Sequence, residues 1–175
     1  KLAKIVLPLE YADFKKCHTY GEEWFWSTIA ENMVLADYEY LVYKSKAKEK
    51  SLAEVHIVTS SIKAAAEGIK KGSVIGTCAN TCRDLANTPG SDMTPAILAE
   101  KTKAIFRGTK AKVTILNEKQ IAKLGMGGVI GVGKGSKHKP RFIIIEYKEG
   151  KKAEKPIVFV GKGVTFDMGG LQIKP

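Results

Sequence analysis

Apolar positions along the chain alternate between short continuous runs and a helical period, and the changes between the two delimit its elements. Residues 2–9, LAKIVLPL, predict a strand, with Pro8 confining it to a strand end or a sheet edge. Residues 21–36 follow a helical pattern with Trp24, Ile29 and Leu35 among its apolar positions. Tyr38 to Tyr43 predicts an extended segment, Lys44 to Ser51 a basic loop, and Ala53 to Val58 a short apolar strand. From Ser61 to Leu85 the period is helical again. Ile75, Cys78, Cys82 and Leu85 recur at steps of three, four and three and predict one buried stripe. Gly68 and Gly72 weaken the first half of that helix and predict a break near them. A helix of this length between two strand-containing regions reads as a domain connector, with a boundary near Ser60.

In the second half, Asn87-Thr88-Pro89-Gly90 predicts a turn, because proline fixes φ and glycine permits positive φ. Thr94 is placed to cap a helix that begins at Pro95, where a missing N–H costs nothing, and runs to about Phe106. Lys112 to Leu116 is a predicted strand, Glu118 to about Gly131 a helix, and Arg141 to Tyr147 a strand rich in isoleucine. A charged connector, Lys148 to Lys155, leads to a last strand at Pro156 to Val160. Apolar strands alternating with helices predict an α/β fold with its sheet buried on both faces. The short connector before Pro156 allows an antiparallel neighbour, so the sheet is expected to be mixed.

Composition excludes several classes. The 175 residues are 44% hydrophobic and 27% charged, a globular balance. No apolar run approaches the roughly 18 residues needed to span a bilayer, and no signal peptide is visible. Cys17, Cys78 and Cys82 do not make a disulfide framework and favour a reducing compartment. Cys78 and Cys82 could share a helix face and hold a metal, but no second Cys/His pair stands at zinc-site spacing. His18, His56 and His138 are scattered, so both cysteines are expected to be buried core residues. The net charge of +11 comes from 29 Lys and Arg against 18 Asp and Glu. The lysines are dispersed, the aromatics cluster at Tyr20 to Tyr43 away from them, and only Arg83, Arg107 and Arg141 offer a bidentate fork. A solvated basic surface follows more naturally than a nucleic-acid groove.

Two segments carry candidate chemistry. Gly128 to Gly135 nearly fits the phosphate-cradling GxxxxGK[ST] loop. Gly135 stands where a Ser or Thr would hold magnesium, a helical pattern precedes it, and Pro140 follows closely. A glycine-rich turn with close backbone packing is therefore expected there. The second segment runs Val160-Gly-Lys162-Gly-Val-Thr-Phe-Asp167-Met-Gly-Gly-Leu-Gln-Ile-Lys174-Pro175. Ligands in open α/β sheets gather at the carboxyl ends of strands, and here a predicted strand runs into a glycine-rich turn with one carboxylate and two amines. A carboxylate can bind a metal, a lysine beside a cation can lose its proton and coordinate, and a second, protonated lysine can stabilise an oxyanion. The same residues also fit two surface lysines and an aspartate that forms a turn.

The second segment resembles the signature of the leucyl aminopeptidase family of cytosolic metallopeptidases, a GKG-x-x-x-D-x-GG-x-x-x-K-P run. Other stretches are similar to that family in the same order: Tyr40 to Lys46, Arg83 to Pro89, Thr94-Pro95, Leu124 to Gly127, Gly133 to Ser136 and Pro140 to Tyr147. The resemblance implies a smaller N-terminal α/β domain joined by a long helix to an α/β/α catalytic domain, assembled as a hexamer in the cytoplasm. The corresponding ranges here are 1–60, 61–86 and 87–175. It implies two divalent metal ions, zinc, manganese or magnesium, and a bicarbonate base held by an arginine. Lys162 would ligate one metal through a neutral amine and Asp167 would bind the same metal. Lys174 would polarise the scissile carbonyl and stabilise its oxyanion. The substrates would be peptides that lose their N-terminal residue, leucine in the family's name. Two departures stand out: Met168 follows the aspartate where the family has Ser, and Gln172 occupies a commonly small or polar position. The family's bridging aspartates and glutamate lie further downstream than Pro175. The chain is thus expected to be an N-terminal part of the enzyme and inactive in isolation. The alternative is a non-catalytic DNA-binding or regulatory module using the basic surface, since some members of that family bind DNA.

Overall fold

A computed structural model of the chain describes residues 3–46, 52–150 and 155–167. The elements are strand β1 (Ala3–Pro8), two short 3₁₀ segments, helix α1 (Glu22–Ala36), strand β2 (Leu52–Val58) and helix α2 (Ile62–Asn87). Then follow α3 (Pro95–Ile105), β3 (Lys112–Leu116), α4 (Glu118–Lys123), α5 (Gly127–Gly133) and β4 (Phe142–Glu146). The fold is α/β, and the chain divides into two compact units, Lys1–Asn87 and Thr88–Pro175. No described helix is long and apolar enough to cross a membrane.

In the first unit β1 and β2 pair in parallel, from Lys4 opposite Glu54 to Pro8 opposite Val58, with α1 in the crossover that parallel strands require. The core forms where α1 meets α2. Phe25, Trp26 and Ala65 are buried, with Leu9, Ile29 and Ile57 packed around them. Trp26 is fully enclosed, and its indole N–H donates to Glu22 Oε1 at 3.3 Å.

The buried face of α2 is not the predicted stripe. Ala65, Gly68, Gly72 and Gly76 face α1, whereas Ile75, Cys78 and Cys82 are exposed. The two cysteines are therefore not core residues. Gly68 and Gly72 do not break the helix. They allow the two helix backbones to touch. A Cβ on Gly68 would lie 2.6 Å from Trp26 Cβ, one on Gly72 would lie 2.7 Å from the Ser27 carbonyl carbon, and one on Gly76 2.9 Å from Val34 Cβ. Further along, α2 also satisfies the last carbonyls of α1, which a helix end leaves without internal partners. Asn80 Nδ2 donates to Val34 O and Arg83 Nη1 to Leu35 O, both at 3.0 Å. Tyr38 to Tyr43 forms no strand. It turns instead, with Lys44 N donating to Leu41 O at 2.9 Å and Tyr38 hydrogen-bonded to α2.

Glu10 ties the segment after β1 to the entry of α2. It accepts from Ser60 N and Ser60 Oγ at 2.8 Å and from Thr59 Oγ1 at 3.3 Å. These donors, Ser60 foremost, hold its carboxyl below the ordinary glutamate value. The folded form then binds its proton less readily than the unfolded form. The contribution to stability is present above the unfolded value of about 4.3 and is lost as pH falls through it toward the lower folded value. Glu10→Gln should therefore show a shallower loss of urea midpoint between about pH 6 and pH 3 than the parent, read by tryptophan fluorescence. Equal slopes would contradict this role.

In the second unit the Thr94 cap stands as expected. Ile97 N donates to Thr94 Oγ1 at 3.4 Å, and Pro95 takes the first helical position. Met93, Ala99, Thr102 and Ile121 are buried. β3 and β4 pair antiparallel, from Lys112 opposite Glu146 to Leu116 opposite Phe142. The helix expected at 118–131 is two helices. A capping box between Asn117 and Gln120 starts α4, and Gly125 at φ +69° ends it before α5 begins. The strand expected at Pro156 to Val160 has no ladder partner among the described residues. Ile157, Val158, Phe159 and Val160 are each at least 74% exposed. A strand is defined by its neighbour, and the only described partner of β4 is β3.

Candidate metal site

Residues 161–167 form an irregular loop against the start of α3. Its first bend is local, with Val164 N donating to Lys162 O at 2.9 Å. Gly163 sits against Leu98 of α3, where an added Cβ would lie 3.5 Å from Leu98 Cδ2. Further on, the Thr165 carbonyl and the Phe166 side chain lie against Gly90, in the turn that precedes α3. A Cβ on Gly90 would collide with that carbonyl and lie 3.4 Å from Phe166 Cβ. Glycine at 90 thus lets the turn approach the backbone that leads into Asp167. The turn itself is held by Asp92 N and Met93 N, which donate to Pro89 O at 2.9 and 2.8 Å.

Lys162 and Asp167 lie on this one loop, and both are exposed. Met168, Gln172 and Lys174 lie outside the described residues. Among the described residues no three His, Cys, Asp or Glu side chains come together in a group that could hold a metal. By residue type these two positions offer one amine and one carboxylate, each of which can ligate a divalent ion.

The glycine-rich run at 128–135 is not the expected turn of close backbone packing: an added Cβ on Gly128, Gly131 or Gly135 meets nothing within 4 Å. It forms α5 and ends with Gly133 against Pro140, whose Cδ would lie 2.9 Å from an added Cβ. No strand precedes it, so the phosphate-loop geometry is absent from these described residues. One cluster lacked a local signal in the sequence. Tyr38 bonds to Asp84, 46 residues away, and no periodicity links two such positions. The run Arg83-Asp84 with Asn87 was the only pointer.

The sequence profile described as "Cytosol aminopeptidase family, catalytic domain" matches residues 80–175. A probable cytosol aminopeptidase of Bdellovibrio bacteriovorus is 40% identical over 154 residues, 86% of this chain and 31% of that protein. One from Chlorobaculum tepidum is 47% identical over 118 residues, 66% of this chain and 23% of that protein. Among solved structures, the bottromycin maturation enzyme BotP is similar with a TM-score of 0.61 and 28% identity, covering 70% of this chain and 26% of that one. The same enzyme in complex with Mn gives a TM-score of 0.59. The chain corresponds to about a third of the length of the curated relatives it matches.

Proposed function

The chain belongs to the cytosol aminopeptidase family, and from that premise we propose that it carries the first part of a two-metal aminopeptidase site, with Lys162 and Asp167 as ligands to one divalent ion and Lys174 as the group facing the scissile carbonyl. The observation that carries this reading is the spacing of Lys162, Asp167 and Lys174 about the glycines 161, 163, 169 and 170, inside the matched segment 80–175. The manganese named with BotP supports a divalent ion as the metal.

A divalent ion, when bound, lowers the pKa of a water and polarises a carbonyl. The chain's own residues have separate duties. Lys162 offers nitrogen and Asp167 offers oxygen from one exposed loop backed by α3. Lys174, as an ammonium, would place positive charge where the carbonyl oxygen becomes negative. The substrates are peptides with a free amino terminus, of the leucine type that the family's name gives. In the complete assembly we expect two ions, zinc, manganese or magnesium.

Two donors do not enclose an ion, so the 175-residue chain alone is expected to show no metal-dependent release of a leucyl chromogenic group. Extending its C terminus with the segment of the Bdellovibrio bacteriovorus relative that follows the matched region should produce that activity. Turnover by the purified 175-residue chain would contradict the division of ligands. A folded extended chain that remains inert with manganese or zinc would contradict the aminopeptidase reading.

A further inference from the structure

Helix α2 carries two thiols that its packing does not use. Cys78 and Cys82 stand four residues apart, so they share one face of the helix on successive turns. That face is not the one that meets α1, which packs on Gly68, Gly72 and Gly76. Both thiols are free and exposed, although free cysteine is ordinarily among the most buried residue types. The hydroxyls beside them are engaged within the helix. Thr77 Oγ1 donates to Ser73 O at 2.7 Å and Thr81 Oγ1 to Thr77 O at 3.0 Å. Cys78 also lines a shallow, mostly apolar groove with Ser73, Val74 and Thr77, surroundings that suit a soft ion better than a hard, hydrated one.

Geometry decides what such a pair can do. On a helix, Cβ atoms four residues apart stand about 5–6 Å from one another. A disulfide needs them about 3.5–4.5 Å apart, so closing one would distort α2. An ion between the sulfurs removes that difficulty, because two metal–sulfur bonds of about 2.3 Å let the sulfurs stay up to about 4.6 Å apart. Coordination number then selects the ion. Zinc in a structural site takes four ligands, and among the described residues no third His, Cys, Asp or Glu joins the two cysteines. A soft ion satisfied by two thiolates remains, and thiolate ligands select Cu(I).

We propose that Cys78 and Cys82 form a dithiolate site on α2 for one soft monovalent metal ion, Cu(I). Two Cu–S bonds form as two thiol protons pass to solvent, and the copper keeps its oxidation state. The donors are sulfur only, a different class from the nitrogen and oxygen proposed at Lys162 and Asp167, and the site does not rest on that reading.

The reduced 175-residue chain, held without oxygen, would be titrated with Cu(I) in competition with bicinchoninate, whose colour reports the copper it retains. One Cu(I) per chain is expected. Cys78→Ser and Cys82→Ser should each weaken binding at least about a hundredfold, and Cys17→Ser should bind like the parent. Adding Val74→Cys to Cys82→Ser rebuilds a pair four residues apart on exposed positions, and should restore the parent affinity to within about tenfold. Parent-like affinity in either helix variant would overturn the site, as would an equal loss in Cys17→Ser. Failure of the rebuilt pair to recover copper would overturn the spacing argument. Copper found by native mass spectrometry only between two chains would do the same.

Discussion

Gly72→Ala is expected to unfold the first unit at a markedly lower urea concentration than the parent. Alanine raises helix propensity by about 1 kcal/mol over glycine, so an exposed position would gain. At Gly72 the new methyl group meets the Ser27 backbone, its carbonyl carbon 2.7 Å away. A flexible side chain could swing aside, but a backbone carbonyl inside α1 cannot move without displacing the helix. Overpacking a core costs about 1–3 kcal/mol and sometimes more. With no soft neighbour to yield, a net loss of about 3 kcal/mol is expected. Both tryptophans of the chain, Trp24 and Trp26, lie in α1, so their fluorescence reports this unit directly. Gly131→Ala in α5 is the control. An added Cβ there meets nothing within 4 Å, and the substitution should be neutral or slightly stabilising. Parent-like stability of Gly72→Ala would mean that α1 and α2 are further apart than described.

In the extended enzyme, Lys162→Met and Asp167→Asn are each expected to lower kcat/KM by about a thousandfold or more, roughly 4 kcal/mol of transition-state stabilisation. Lys162→Met removes the nitrogen donor and Asp167→Asn removes the charge of the oxygen donor, each at similar size, so packing is preserved while metal affinity falls. Lys174→Ala should behave differently. Losing a charge that faces the developing oxyanion costs about a hundredfold or more in kcat, while metal content stays at the parent level. The contrast separates ligands from the electrophilic group. If all three variants lost metal equally, Lys174 would have to be reassigned as a ligand. If none lost activity, the whole segment would be structural.

What could be read in the sequence was local. Thr94-Pro95 announces its own cap, Asn117 to Gln120 opens α4 where a helix start was expected, and the spacing of Lys162, Asp167 and Lys174 needs no partner to be seen. The buried face of α2 could not be read in the same way. Hydrophobic periodicity weights large side chains, and this face is made of glycines whose value lies in the side chain they lack. The stripe through Ile75, Cys78 and Cys82 had the right period and the wrong side. Tyr38 to Tyr43 alternated like a strand, yet a tertiary bond from Tyr38 to Asp84 bends it away. The run at Pro156 to Val160 has a strand's composition, but a strand also needs a neighbour, which composition does not supply. The candidate site is legible in the sequence only as a set of positions, and the backing of its loop by α3 and the Gly90 turn only from the fold.

If Lys162 and Asp167 hold one of two metal ions, the metal content of the protein reports it. The extended enzyme and its Asp167→Asn variant would be equilibrated with manganese, freed of excess ion and analysed for metal per chain. Two ions per chain are expected in the parent and one in the variant. Equal metal content in both would contradict it.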